Sequence, residues 1–337
     1  MVFDLIHSLF NTPYVPPSYF LRFLITQFSH LPLPPKDSYH GKTIIITGAS
    51  AGLGLEAARH YVHHLGAARV IIACRNTESG ETAKASIGSD KVEVWPLDLC
   101  SFESVAAFRD RAERELERLD VLLLNAGVAM RDVQMAGGYE MTITTNVIST
   151  FLLAVMLLPL LKKTVREKNV DVDVTVVASE AHLFTSFQER FQPKIFESFR
   201  QDGKFIWKDR YGTSKLLDVM LANELANRLG DEAGVIVNSV NPGLCRTGLF
   251  RHLNFIIQGL LVIFMFLFAR TTEQGSRTLI LAADGGRRFH GKYSDSGKVI
   301  EPSSFVLSDE GKRTQKRAWG ELMDIFEGIE SGVTGNI

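Results

Sequence analysis

The chain has 337 residues, of which 45% are hydrophobic and 22% charged, and its formal net charge is −1. This length fits one long domain or two short ones, and the composition is that of a globular protein with enough material for a core. The charge balance argues against a nucleic-acid partner. The few cysteines are widely spaced and odd in number, which argues against a disulfide framework and favours a reducing compartment. They are Cys74, Cys100 and Cys245.

The first forty residues differ from the rest of the chain because they are rich in Phe, Leu and Pro. They lack the basic start of a signal peptide, and prolines interrupt the apolar run. Within them, residues 18–31 are predicted to form a short amphipathic helix. Its apolar side would carry Phe20, Leu24, Phe28 and Leu31. We expect residues 1–40 to be an extension that either packs on the domain or lies at a membrane surface or substrate entrance.

From residue 41 onward, short apolar runs alternate with longer helical stretches. Strands are predicted at 43–48, 68–74, 91–97, 120–127, 173–179 and 234–243. Strands separated by helices of this length indicate βαβ units and a parallel sheet. Because the strands are apolar throughout, both faces of the sheet should be covered. The prediction is one α/β domain over residues 41–337, a Rossmann-like doubly wound parallel sheet with helices on both faces.

A glycine-rich turn, TGASAGLG, joins the first predicted strand to its helix. Gly48, Gly52 and Gly54 would permit a tight turn and the close approach of a pyrophosphate, and the helix N-terminus would supply free N–H groups. Ser50 could add a hydrogen bond. The spacing is TGxxxGxG rather than GxGxxG, and glycine turns also occur without phosphates. In this context the pattern predicts a dinucleotide site.

The end of the second predicted strand bears on the choice of dinucleotide. NAD sites usually place a carboxylate there, whereas this chain has Arg75 in IIACRN. A guanidinium would attract the 2′-phosphate of NADP, so the predicted cofactor is NADP(H); an exposed loop cation is the alternative. Asp98, after the third strand, is predicted either to meet the adenine edge or to cap the next helix.

The stretch YGTSK places Tyr211 and Lys215 on one face of a predicted helix. A nearby ammonium favours the phenolate, as does the positive nicotinamide of an oxidised cofactor. Both bring the pKa of Tyr211 toward the range in which general acid–base catalysis is efficient. An ordinary helix pair is the alternative.

A histidine cluster, HYVHH, raises the question of a metal site at His60, His63 and His64. No HExxH pattern accompanies it, and the stretch lies in a predicted helix of ordinary composition. We predict no metal site.

These motifs together carry a resemblance. TGASAGLG, ACRN, LDL, LLNAG, TTNVIST, VVASEAH, YGTSK and NPG occur in this order. From about Gly41 to the C-terminus the chain therefore resembles the short-chain dehydrogenases/reductases, most of all the retinol-dehydrogenase and protochlorophyllide-reductase-like branch. The first forty residues fall outside the resemblance.

The resemblance implies roles for particular residues. Tyr211 would be the general acid/base, Lys215 would hold the nicotinamide ribose and lower the Tyr pKa, and Ser179 would hydrogen-bond the substrate oxygen. Asn146 would keep a water-linked proton route. The implied cofactor contacts are Gly48, Ser50, Gly52, Leu53, Gly54, Arg75, Asp98, Asn125, Gly127, Tyr211, Lys215, Pro242, Gly243 and Thr247.

Two regions are expected to form the substrate side, about 183–210 and 249–270. The first makes the gap between Ser179 and Tyr211, 32 positions, longer than in many family members. The second contains the most apolar run, 255–268, which is shorter than the roughly 20 residues of a membrane span. We predict a lid over a lipophilic pocket, which could dip into a membrane interface; a buried dimer face is the alternative.

The predicted activity is NADP(H)-dependent interconversion of a carbonyl and an alcohol on a lipophilic small molecule, as in secondary metabolism. The alternatives are reduction of an enone C=C bond and a cofactor-binding scaffold without turnover. The expected location is the cytoplasm, or peripherally the endoplasmic reticulum membrane. Membrane contact and homo-oligomerisation both stay open, as do the substrate and the direction of hydride transfer.

Overall fold

A computed structural model of the protein describes residues 19–130, 132–200, 207–231, 233–246 and 268–337. Its centre is an eight-stranded sheet. The strands are β1 Thr43–Thr47, β2 Arg69–Cys74, β3 Val92–Pro96, β4 Val121–Leu124, β5 Val172–Val177, β6 Val235–Asn241, β7 Tyr293–Asp295 and β8 Lys298–Ile300. Their order is β8-β7-β6-β5-β4-β1-β2-β3, and all neighbours are parallel except β7 and β8. The predicted doubly wound parallel sheet is confirmed.

Helices cover both faces of this sheet. They are α1 Tyr19–Gln27, α2 Gly52–His63, α3 Thr77–Ile87, α4 Phe102–Glu115, α5 Ser149–Lys168, α6 Trp207–Leu229, α7 Thr272–Ala283 and α8 Asp309–Ile329. Shorter helical turns are Met141–Ile143, Thr144–Ile148, Glu180–Leu183, Gln188–Phe191, Phe196–Phe199, Gly286–Phe289, Ser304–Leu307 and Val333–Asn336. Local signals set several helix starts, since Asn76, Ser101 and Ser308 each accept a backbone N–H in the first turn.

The central strands are apolar because each face of the sheet meets helices. All five residues of β1 and all seven of β6 are buried. Ile45 packs on one side with α4, α5, α6 and α8, whereas Ile44 and Ile46 pack on the other with α2, α3 and α7. This alternation follows from the two-residue period of a strand.

The segment Met141–Lys168 is one continuous helical element that ends with α5. Among the described residues it is long and apolar enough to cross a membrane, yet 94% of its apolar window is buried inside the fold. An apolar helix surface of this kind can be buried either in lipid or in a protein core, and here it is buried in the core. It is therefore the core helix of the domain.

The structure differs from the sequence prediction in two places. The β7–β8 hairpin and a small hairpin of Met135–Ala136 with Tyr139–Glu140 were not predicted, because strands this short carry no period. The predicted apolar side of the N-terminal helix is also wrong: Leu31 is buried but Phe28 is 66% exposed. The helix ends at Gln27, so these two residues do not continue its rotation.

Candidate active site

The carboxyl ends of the parallel strands meet at one edge of the sheet, and the predicted site residues follow them. The glycine turn follows β1, Asn125 and Gly127 follow β4, Ser179 follows β5, and Pro242 follows β6. Helix α6 brings Tyr211 and Lys215 to the same edge, since the Lys215 ammonium donates to the carbonyl of Val177 at 2.7 Å. Ligands in open α/β sheets bind at this edge.

Two glycines of the turn after β1 have no room for a side chain. A β-carbon at Gly48 would lie 2.8 Å from the Ala126 Cα, and one at Gly54 would lie 2.6 Å from the Asn125 amide nitrogen. Gly52 has φ of +62°, a conformation that favours glycine. Helix α2 starts there, and its N-cap residue Ala51 makes no side-chain hydrogen bond to the first turn. These uncapped N–H groups fit a phosphate.

Asn125 braces this turn from β4. Its amide donates to the carbonyls of Thr47 (2.8 Å) and Gly48 (3.3 Å). The Thr47 hydroxyl accepts from the backbone N–H groups of Asn125 and Ala126, both at 3.0 Å. Thr47 was missed by the sequence analysis, although a buried hydroxyl at the end of TIIIT is a signal for it. Leu53 packs its side chain on the α2 side of the core, which leaves its backbone at the helix start.

The residues expected around the adenosine are Arg75, Ser50 and Asp98. Arg75 is exposed just after β2 and makes no hydrogen bond or ion pair within the described part of the chain. Ser50 is half-buried in the glycine turn. Asp98 accepts from the N–H of Cys100 at 2.9 Å, while the N-cap of α4 is Ser101. Of the two predicted roles for Asp98, the helix cap is therefore wrong.

Asn146 lies in a π-helical turn, Thr144–Ile148, and is buried. Its side chain is fixed by Val128, whose N–H donates to it at 2.8 Å and whose carbonyl accepts from it at 3.0 Å. Its other amide hydrogen goes to the Ser214 hydroxyl at 2.9 Å. Ser214 donates in turn to the Tyr211 carbonyl at 2.8 Å. Asn146 thus ties the loop after β4 to α6, and such π turns often mark functional sites.

Tyr211 and Lys215 face each other on α6, with the ammonium 5.8 Å from the ring centroid. Burial raises the pKa of Tyr211, and this outweighs the Lys215 charge and the Ser179 hydrogen bond, which both lower it. The contribution of Lys215 has the expected sign, but the net pKa lies above the ordinary value. Burial lowers the pKa of Lys215, but Asp218 and Tyr211 outweigh it and raise that pKa, so the side chain is an ammonium.

Ser179 lies beyond the end of β5 and starts the turn Glu180–Leu183. Its hydroxyl accepts from the N–H of Ala181 at 3.1 Å. The Ser179 carbonyl is hydrogen-bonded to Nδ1 of the buried His182 ring at 2.7 Å. The other nitrogen of that ring, Nε2, accepts from the N–H of Ser303 at 3.1 Å. Burial lowers the pKa of His182 to about 4, so the ring is neutral and Nδ1 carries the hydrogen. The sequence analysis assigned His182 no role; its place in VVASEAH was the signal.

The turn after β6 is held by the N-terminal helix. Gln27 accepts from the N–H of Leu244 at 3.1 Å and donates to its carbonyl at 2.6 Å. Arg270 donates to the carbonyls of Pro242 (3.1 Å) and Gln27 (3.2 Å). Gly243 has φ of +76°, and a β-carbon there would lie 2.9 Å from both clasping side chains.

Helix α1 reaches the site at its other end as well. The Tyr19 hydroxyl donates to Glu180, the neighbour of Ser179, at 2.5 Å. The tyrosine ring packs on Leu183, Phe23 and Phe184. The described part of the extension therefore packs on the domain at the edge of the site.

Other predicted site residues are only partly described. Thr247 and most of 249–270 lie outside the described residues. In the described part of 183–210 the rings of Phe187, Phe196 and Phe199 are buried in the core. The Ser186 hydroxyl donates to Asp209 of α6 at 2.7 Å. Contact of this region with substrate stays a prediction.

The three histidines of HYVHH have separate partners. His60 lies 3.0 Å from Glu273, and the rings of His63 and His64 contact the carbonyls of Ile87 (2.9 Å) and Pro34 (3.0 Å). Within the described ranges, no three or more His, Cys, Asp or Glu side chains are grouped so as to hold a metal ion.

Known proteins of similar sequence identify the family of the chain. A family model described as short chain dehydrogenase matches residues 42–186. The chain is 41% identical to the short chain dehydrogenase/reductase dmxR8 of Cryptosporiopsis sp. (strain 8999). The alignment covers 94% of this chain and 100% of that relative. It is 42% identical to the short chain dehydrogenase atnD of Emericella nidulans, over 82% of this chain and 90% of that relative.

Solved structures give the same result for the fold. A short chain dehydrogenase from Shigella flexneri matches with a TM-score of 0.56 and 25% identity, over 82% of this chain and 98% of that one. A 3-ketoacyl-(acyl-carrier-protein) reductase from Brucella melitensis, complexed with NADH, matches with a TM-score of 0.57 and 22% identity, over 77% and 97%. With the sheet, the glycine turn and the extent of the matched relatives, the chain belongs to the short-chain dehydrogenase/reductase family of nicotinamide-dependent oxidoreductases.

Proposed function

We propose that this oxidoreductase uses NADP(H) to interconvert a carbonyl and an alcohol on a lipophilic small molecule, with Tyr211 as the proton donor and acceptor. The observation that carries the proposal is the placement of three groups at one edge of the sheet. The Lys215 ammonium lies 5.8 Å from the centroid of the Tyr211 ring, and the Ser179 hydroxyl is near enough to the phenol to lower its pKa. A proton donor, a second hydrogen-bond donor and a cation are what a developing alkoxide requires.

The cofactor, when bound along the glycine turn, supplies or accepts the hydride. The chain's own residues handle the proton and the charge. Tyr211 gives its proton to the alkoxide oxygen, and Ser179 donates a hydrogen bond to that oxygen. Lys215 stabilises the phenolate left behind. Because burial keeps the Tyr211 pKa above its ordinary value, the phenol carries its proton at neutral pH, which suits reduction.

The preference for NADP(H) rests on Arg75. Its guanidinium is exposed at the end of β2, and in the described residues neither a hydrogen bond nor an ion pair occupies it. It is therefore available to a 2′-phosphate, which it can hold with paired hydrogen bonds. The preference for a lipophilic substrate rests on sequence, namely the apolar run 255–268. The fungal relatives agree with a place in secondary metabolism.

The test is oxidation of NADPH and of NADH by the full chain with a panel of lipophilic aldehydes, ketones and enones. The matched variant Tyr211→Phe removes only the phenol oxygen. We expect turnover with NADPH, weaker turnover with NADH, and a loss of roughly 10²–10⁴-fold in the variant. Undiminished turnover in Tyr211→Phe would overturn the assigned role, and folded wild type that binds a cofactor but turns over no substrate would favour the scaffold. Product analysis separates carbonyl reduction from C=C reduction.

We further propose that α1 rests on a membrane surface. Leu21 and Ile25 are 64% and 63% exposed and lie on one side of α1, since they are four residues apart. Phe28, the residue directly after the helix, is 66% exposed and extends this apolar surface. The opposite side is held on the domain by Tyr19 and Gln27. An exposed apolar surface on a helix that is fixed to the domain can insert between the headgroups and acyl chains of a membrane.

The measurement is flotation of the full chain with phosphatidylcholine vesicles. We expect the wild type to float and a variant with Ser at Leu21, Ile25 and Phe28 to stay in solution. A wild type that stays below the vesicles, or a serine variant that floats equally well, contradicts the proposal. Loss of an oligomer in the serine variant without any change in flotation would assign the apolar surface to a second copy instead.

A further inference from the structure

Helix α6 carries a buried carboxylate that the proposed reaction does not use. Asp218 lies one turn after Lys215 and is 1% exposed. Its Oδ2 accepts from the Lys215 ammonium at 2.9 Å, whereas its Oδ1 has no hydrogen-bond partner in the part of the chain that the structure describes. Removing a carboxylate from water is costly, and leaving one oxygen unpaired adds to the cost. A position of this kind calls for a role beyond stability.

We propose that Asp218 is a positioning residue for the proton transfer: it anchors the Lys215 ammonium and opposes, with its own negative charge, ionisation of the Tyr211 phenol. The proposal rests on the proposed function, in which Tyr211 is the proton donor. It adds a residue that contacts neither substrate nor cofactor. Its effect on the reaction passes through Lys215 and Tyr211.

The geometry of Lys215 supports the anchoring role. An ammonium has three N–H donors. Two of them go to the carbonyl of Val177 (2.7 Å) and to Asp218 (2.9 Å), so one remains. A β-carbon at Gly127 would lie 3.7 Å from the ammonium, so the loop after β4, which is predicted to contact the cofactor, lies beside the nitrogen. Asp218 and Val177 therefore fix the direction in which the third N–H is offered.

The charges around the phenol support the second role. On α6, Lys215 lowers the pKa of Tyr211 and Asp218 raises it; from the end of β5, the Ser179 hydroxyl lowers it. Burial raises the pKa of Asp218 to about 6, and Lys215 is the described charge that opposes this rise. At neutral pH Asp218 is thus largely a carboxylate, and it partly cancels the effect of Lys215 on the phenol. Without it, no described negative charge would oppose the ammonium, and only burial would still raise the pKa of the phenol.

The experiment compares Asp218→Asn, which keeps the shape of the side chain, with the wild type. Asp218→Leu is a second variant without charge, in case the amide does not fold. Glu224→Gln is the matched control, because Glu224 is also buried on α6 but pairs with Arg228 at 2.9 Å, away from Tyr211. Circular dichroism establishes that each variant is folded.

Two readouts are measured. The first is tyrosinate absorbance against pH, taken as the difference between each protein and the same protein carrying Tyr211→Phe. The second is the pH dependence of kcat for reduction. We expect both to move to lower pH by roughly one unit in Asp218→Asn and to stay in place in Glu224→Gln.

A folded Asp218→Asn protein whose Tyr211 titrates as in the wild type, or at higher pH, overturns the proposal. The first readout needs no substrate. If the titration shifts but no carbonyl compound turns over in the wild type, the inference about Asp218 stands and the proposed function fails. If turnover is found and the titration does not shift, the reverse holds.

Discussion

At the scale of single residues, the charged side chains of the candidate site differ in how far they are exposed to solvent. Arg75 is exposed, while Lys215 and Asp218 form a buried pair. Exposed charges are screened by water and salt, whereas buried ones act strongly over short distances. Arg75 is therefore suited to recognising a charged ligand, and the buried pair to controlling a neighbour such as Tyr211.

The choice of cofactor is tested at Arg75. We expect Arg75→Ala to raise the Kd for NADPH by roughly 10- to 100-fold, since a charge-assisted contact of about 1.5–3 kcal/mol is lost. The Kd for NADH should change little, and Arg75→Lys should fall between. Quenching of protein fluorescence measures both constants. An equal change for the two cofactors would mean that Arg75 does not contact the 2′-phosphate.

Glu180, next to Ser179, should make the stability of the fold depend on pH. Burial raises its pKa from 4.5 to about 7 in the folded chain, although the Tyr19 hydrogen bond favours the charged form. The native state thus holds a proton that the unfolded state releases, so stability is fully present below about pH 4.5 and is lost as pH rises toward 7.

Replacing this group should flatten that pH dependence. We expect Glu180→Gln to remove a loss of about 1–3 kcal/mol between pH 5 and 7.5, because the amide does not titrate. Urea unfolding at several pH values measures it. Parallel pH curves for the variant and the wild type would show that Glu180 does not titrate in this range.

At the scale of elements, α1 is joined to the domain mainly by polar groups. Arg270 is 4% exposed and donates to the carbonyls of Thr26, Gln27 and Pro242. The last turn of a helix has carbonyls without internal partners, and here a buried guanidinium satisfies two of them. The same side chain holds the turn after β6, so the helix end and the site edge depend on one residue.

Arg270→Ala should therefore destabilise the chain. We expect the free energy of unfolding to fall by about 2–4 kcal/mol, because the carbonyls of Thr26, Gln27 and Pro242 each lose a charged donor. Arg288→Ala is the control, since the exposed Arg288 donates to the single carbonyl of Gly285 at 3.1 Å, and it should cost less than about 1 kcal/mol. Urea unfolding measures the free energy of unfolding of both variants. An equal loss in the two would contradict the role of Arg270 in joining α1 to the turn after β6.

At the scale of the whole molecule, cofactor binding should stabilise the fold. The glycine turn, the Asn125 loop and Ser179 come from separate strands and meet only in the folded sheet. A ligand that bridges them binds the native state and not the unfolded chain, so the Tm should rise with cofactor concentration.

Gly54→Ala tests this linkage. Its β-carbon would lie 2.6 Å from the Asn125 amide and 2.9 Å from the Ala49 Cα, so the turn must shift. In the wild type, NADPH at one hundred times its Kd should stabilise the fold by about 2.7 kcal/mol and raise the Tm accordingly. We expect this rise in Tm to be largely lost in Gly54→Ala. Gly320→Ala, with no atom within 4 Å of its new carbon, should keep the full rise. Scanning calorimetry decides between these outcomes.

The sequence by itself determined the features that are local. The apolar runs of six strands, the glycine turn and the YGTSK pair each lie within a few residues. The runs and the helical stretches between them predict the sheet, and the motifs carry the family resemblance. The same reasoning gave α1 the wrong apolar side and overlooked the β7–β8 hairpin, because short elements carry too few residues for a period.

Tertiary structure alone decided the rest. Asp218 is an ordinary helix residue in the sequence, three positions after Lys215, and only the packing of α6 in the fold buries the pair. Arg270 and Gln27 are more than two hundred positions apart, and nothing in either stretch indicates their contact. Burial and long-range contacts arise from how elements pack, and they set the pKa of each group through desolvation and neighbouring charge. For that reason the candidate site residues could be predicted from motifs, whereas their burial and their long-range partners could not.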